Sequence, residues 1–99
     1  MEVTSRYKKV SQLNSENSPS TGAIVCFDGC IPGEHNDFSD QYIEISDCYH
    51  KIRLHRAHFD SVSDWVDKID TLLVELQDYR NHIVRNKKVI EKEIYENSK

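Results

Sequence analysis

The chain has 99 residues with 13 Lys+Arg against 17 Asp+Glu, a formal charge of -4, and is long enough for one small domain and no more. That balance argues against general nucleic-acid binding and is too mild for a mimic of DNA. No apolar run is long enough to cross a membrane, Met1–Arg6 has no signal-peptide core, and three cysteines are too few for a disulfide framework, so a cytoplasmic protein is expected.

Residues 1–22 hold five serines, Pro19 and few apolar residues, which reads as a weakly structured arm or one weak strand followed by a linker. The remainder, 23–99, reads as a single domain. Its first element is Ala23-Ile24-Val25-Cys26-Phe27, an unbroken apolar run that suits a central strand covered on both faces. Ile31-Pro32-Gly33-Glu34 then has the make-up of a type II turn with a positive φ at Gly33, so 29–40 is expected to be a long loop.

Tyr42-Ile43-Glu44-Ile45 and Lys51-Ile52-Arg53-Leu54-His55 both alternate with period two and predict a hairpin. Two registers are open. One sets Ile45 against Ile52 and needs a two-residue turn at Cys48-Tyr49; the other closes a four-residue loop over Ser46–Tyr49. Either puts a base opposite Glu44.

Asp60, Ser61 and Ser63 are competent N-caps, and a helix is predicted from about residue 62. Val62, Val66, Ile69, Leu73, Leu76, Ile83, Ile90 and Ile94 follow alternating steps of four and three, with Arg80 and Lys87 at two steps of the same seam. No proline or glycine follows Gly33, so one continuous helix is preferred over a hairpin broken near Asn81 or Asn86. The fold class is therefore α+β: a small antiparallel sheet with strands near 23–28, 41–46 and 51–57, packed by a long C-terminal helix. Since hydrophobic residues are only 37% of the chain, the helix is expected to find cover in a second copy. Antiparallel protomers would meet through Trp65, Leu72, Leu76, Tyr79, Ile83 and Ile90.

Cys26, Cys30, Cys48 and His50, with His35, offer ligand types suited to zinc. They lack a Cys-x2-Cys knuckle, and Cys26 sits inside the apolar run, so buried cysteine is the simpler reading and no metal or cofactor is expected. His50, His55 and His58 accompany Lys51, Arg53 and Arg56; alternation sends Lys51, Arg53 and His55 to the outer face beside Tyr42 and Tyr49, where a small anion or nucleotide could stack. Asp28, Glu34, Asp37 and Asp40 do not follow the spacing of a calcium loop. Phe38 among them has the character of an interface anchor. With no nucleophile or phosphate-loop motif, the expected function is non-catalytic: a regulatory protein, acting as a homo-oligomer, that inhibits or sequesters a protein partner through Glu34, Asp37, Phe38 and Asp40. The second reading is a receptor for a small anionic ligand at Tyr42, Tyr49, Lys51, Arg53 and His55. The third, a zinc-stapled module, ranks behind both.

Overall fold

The computed structural model describes residues 3–14, 22–34 and 36–97. The chain divides into two compact units, Met1–Asp60 and Ser61–Lys99. Among the described residues these carry four antiparallel strands and two helices, an α+β complement.

The first unit is a meander of β1 (Thr4–Gln12), β2 (Gly22–Ile31), β3 (Phe38–Asp47) and β4 (Lys51–His55), in that spatial order. The segment read as an arm or weak strand thus supplies a nine-residue edge strand. Leu13 N–H donates to the Gly22 carbonyl at 2.8 Å and Gly22 N–H to Asn14 Oδ1 at 3.0 Å, which closes the β1–β2 pair. Lys8 and Lys9 on β1 and Lys51 and Arg53 on β4 charge the two edges, a device that discourages pairing with other strands.

β2 and β3 are both longer than the sequence suggested, and the loop expected over 29–40 shrinks accordingly. Pairing of Gly29 with Asp40, Cys30 with Ser39 and Ile31 with Phe38 carries the ladder through most of that stretch. No described glycine has a positive φ, so the type II turn at Gly33 is not formed. What Gly33 supplies instead is room, because a Cβ there would run into the Asn36 carbonyl oxygen.

The β3–β4 hairpin takes the register in which Ile43 meets Leu54, Glu44 meets Arg53 and Ile45 meets Ile52. Its two-residue turn lacks Asn-Gly chemistry and is held by Asp47. The carboxylate Oδ1 accepts from Tyr49 N–H at 2.9 Å and His50 N–H at 2.7 Å, while Asp47 N–H donates to the His50 carbonyl at 2.9 Å. Aspartate at the first position of a tight turn does this routinely. These backbone donors hold the Asp47 carboxyl below its ordinary pKa.

Period-two alternation gives the sheet two distinct faces. Phe27, Tyr42, Glu44, Arg53 and His55 share one; Cys26, Asp28, Gln41, Ile43 and Leu54 share the other. Phe27 and Ile43, one on each face, are buried.

In the second unit, α1 spans Val62–Arg85 and α2 spans Lys87–Asn97. Ser61 and Asp64 form a capping box: Asp64 N–H donates to Ser61 Oγ and Ser61 N–H to Asp64 Oδ2, both at 3.0 Å. Continuity gives way only locally, at Asn86. Asn86 N–H still reaches the His82 carbonyl at 3.1 Å and Ile90 N–H reaches the Asn86 carbonyl at 2.9 Å. Helical bonding therefore brackets the interruption and no helical hairpin forms. Neither helix is long and apolar enough to cross a membrane.

Candidate ligand-binding site

A cavity of about 440 Å³ opens at the end of the sheet where β3 begins and β4 finishes. Ligand pockets commonly run from roughly 300 to 1,000 Å³, so the space suits a small molecule. β3 contributes Phe38, Ser39 and Asp40, and β4 contributes Arg53 and His55. Arg56, Ala57 and His58, just past β4, complete the wall with Ile31 of β2.

Each polar group is fixed by a separate local cause. Arg53 lies diagonally across from Tyr42, with its guanidinium carbon 4.0 Å from the ring centroid. Its Nε and Nη2 donate to Glu44 Oε1 at 3.2 and 2.8 Å. Glu44 is the cross-strand partner and its side chain is only 13% exposed. The contact lowers the Glu44 pKa and raises that of Arg53, with burial opposing it in each case. Lys51 approaches the same oxygen at 4.0 Å.

Arg56 is held differently. Its Nε donates to Gln41 Oε1, its Nη1 to the carbonyls of Ala57 and Asp60 at 3.0 and 3.1 Å, and its Nη2 to the Ser39 carbonyl at 3.1 Å. All four acceptors are neutral. No carboxylate among the described residues is hydrogen-bonded to this guanidinium, and the acid of the same cavity lining is Asp40. The sequence shows this residue as part of the basic cluster but leaves it off the proposed binding face, because it falls on the parity of the apolar face.

The Arg56 clamp continues into a chain of polar contacts on that face. Gln41 Nε2 donates to Asp28 Oδ1 at 2.8 Å, and Arg6 engages Asp28 through Nη2 to Oδ1 at 2.8 Å and Nε to Oδ2 at 3.0 Å. Arg6 is the bulge residue between Ser5 and Tyr7, so β1, β2, β3 and the segment after β4 are tied together across one face. The Arg6 and Gln41 bonds hold the Asp28 carboxyl down at a pKa of about 2.

The sequence-predicted residues are regrouped. Arg53 and His55 from the anion-binding reading line the cavity, whereas Tyr49 is exposed on the hairpin turn and Lys51 sits at the far end of β4. Tyr42 is no open stacking platform: Phe27 stacks on it from β2 at a centroid distance of 5.0 Å and Arg53 covers it from β4. The acidic surface is split as well. Glu34 and Asp37 are exposed ahead of β3, while Phe38 and Asp40 are strand residues turned into the cavity wall, with Phe38 packed edge-on against His58 at 5.8 Å.

For zinc, the ladder keeps the candidates apart. Cys26 and Cys30 lie along β2 opposite Ile43 and Ser39, while Cys48 and His50 belong to the hairpin turn beside the Gly22 end of that strand. No group of three or more His, Cys, Asp or Glu side chains among the described residues is placed to hold a metal ion, and His35 lies outside them. Trp65 and Leu72, read as part of an oligomer interface, are already buried and half-buried within one chain. Leu76, Tyr79 and Ile83 are exposed and Ile90 is half-buried.

Two guanidiniums and two imidazoles, set around Ser39 and Asp40, are groups that can attract and orient an anion. The fold and cavity define a small α+β protein with a cationic ligand-sized cavity at one end of its sheet. No protein-family model, curated protein or solved structure matches the chain.

Proposed function

We propose that the protein is a non-catalytic receptor or sequestering factor for a small organic anion carrying a planar ring, of the size of a mononucleotide. The observation that carries this reading is the fixed guanidinium of Arg56, satisfied by neutral oxygens, beside Arg53, His55 and His58 in a cavity whose lone carboxylate among the described lining residues is Asp40. A buried or half-buried cation without an acid partner favours an anionic guest, because the guest removes an electrostatic cost that the folded chain otherwise bears. Phe38 and His58 supply an apolar and aromatic wall for the ring. The competing reading, a protein partner gripped by the acidic 28–40 segment, would use the exposed Glu34, Asp37 and Phe38 with Asp40 of the cavity wall.

Isothermal titration with inorganic phosphate, AMP and ADP tests the proposal. Saturable binding of the nucleotides, tighter than that of phosphate and abolished by R53E with the sheet intact by circular dichroism, is the expected result. Heat signals indistinguishable from dilution for all three ligands would remove it, and would return attention to Glu34 and Asp37 as contacts for a protein.

A further inference from the structure

A seam of apolar side chains stays open to solvent along the second unit. Val62 is 72% exposed, Leu73 60%, Leu76 51% and Ile94 63%, whereas Trp65 on the neighbouring line is buried. These exposed residues belong to one series, Val62, Val66, Ile69, Leu73, Leu76, Arg80, Ile83, Lys87, Ile90 and Ile94, at alternating steps of four and three along α1 and α2. This is the a/d pattern of a coiled coil, with bases at two successive positions of the same kind.

We infer that this seam pairs with the same seam of a second copy, antiparallel and in full overlap. The two bases select the orientation. In a parallel pair in register, Arg80 meets Arg80 and Lys87 meets Lys87, which places like charges on the axis twice over. In the antiparallel pair that brings Val62 against the second copy's Ile94, every a position falls opposite a d position, as knobs-into-holes packing requires. Val66 then meets Ile90, Leu73 meets Ile83, Leu76 meets Arg80, and Ile69 meets Lys87. No base faces a base. The residue after Ile69 is Asp70, so each Lys87 ammonium comes beside a carboxylate of the other chain.

The same register gives the longest overlap the described helices allow. Residues 62–97 amount to about 54 Å of helix at 1.5 Å per residue, interrupted at Asn86, and the two-fold axis of the proposed pair falls at Asp78, the middle of the Val62–Ile94 seam. A shift by one heptad keeps the layers but strips cover from both ends. This inference uses only the second unit and is independent of what the cavity binds.

Sedimentation velocity at tens of micromolar should return twice the 11.6 kDa of the chain. L73D should return one copy with an unchanged β-sheet signal. Orientation is read by oxidative cross-linking in a background where Cys26, Cys30 and Cys48 are replaced by alanine and the dimer mass is retained; if that background fails, spin labels at the same positions report the distances. V66C mixed with I90C should cross-link to each other, and neither should cross-link to itself. A monomer at those concentrations, or a homotypic V66C product, overturns the inference.

Discussion

Arg53 holds Glu44 with two nitrogens while its flat face lies 4.0 Å from the centroid of Tyr42. One side chain thus links β4 to β3 twice, by charge and by stacking, and is delivered to the cavity wall with little freedom left. A lysine cannot make the two-nitrogen contact and lay a flat group on the ring at the same time, since its ammonium is a point donor without a plane. R53K is expected to weaken the proposed nucleotide binding by about tenfold, equal to roughly 1.4 kcal/mol, while changing stability by about 1 kcal/mol or less because the pair is partly exposed. Titration calorimetry beside thermal melts separates the two effects.

Asp28 gives the fold an acid-sensitive joint. Its carboxylate is held at a pKa of about 2 by Arg6 first and Gln41 second, below the ordinary 3.8. A depressed carboxyl pKa contributes stability that is fully present above the unfolded value and is lost as pH falls through the folded one. The loss should therefore fall between about pH 4 and pH 2. Glu44 and Asp47 are lowered in the same direction and add to it. D28N, which keeps an acceptor but not the charge, should melt below the parent at pH 7 and converge with it as pH approaches 2. A difference that is constant over that range would assign the effect to geometry rather than charge.

Gly29 is buried at the bulge where β1 shifts register, opposite Ser5. A Cβ there would sit 2.8 Å from Phe27 Cζ, 2.9 Å from Ser5 Cα and closer still to the Thr4 carbonyl oxygen. Two of those neighbours are backbone and cannot swing away. G29A should destabilise by about 1–3 kcal/mol through overpacking, with no contribution from dihedral strain, since the φ of Gly29 is not positive. Urea denaturation measures it.

The alternation of Ile43, Ile45, Ile52 and Leu54 made the hairpin legible, and the uninterrupted 23–27 run marked an interior strand. Turn chemistry was the weaker guide. Asp47 closes the hairpin from the residue before the turn, so the absence of Asn-Gly left the register open between two choices, and Pro32-Gly33 suggested a φ that Gly33 does not adopt. β1 was faint because an edge strand needs no apolar face of its own: its pairing to β2 is backbone bonding plus Arg6, and an isolated arginine in a serine-rich segment carries no such signal. The basic cluster was visible as composition. Its sorting was not: parity still puts the Arg56 guanidinium against Gln41 on the face of Asp28, but after His55 the chain leaves the sheet, and the turn there, with Arg56, Ala57 and His58, lines the cavity, which a strand pattern does not foretell.

Asn86 is where continuity of the long helix fails. Its backbone, at φ -105° and ψ 14°, departs from helical values, and its N–H is shared between the His82 and Val84 carbonyls. The side chain competes for the same acceptor, with Nδ2 donating to the His82 oxygen at 2.9 Å. Asparagine is poor in helix interiors for this reason, and alanine is better by roughly 0.5 kcal/mol. N86A removes the competitor and takes away no contact between elements, so the last helical turns should join α1 without interruption. The expected result is a larger signal at 222 nm and a gain of about 0.5 kcal/mol in chemical unfolding. If stability falls instead, the Nδ2 bond to His82 is holding the junction, and the interruption is a built joint rather than a local cost of the sequence.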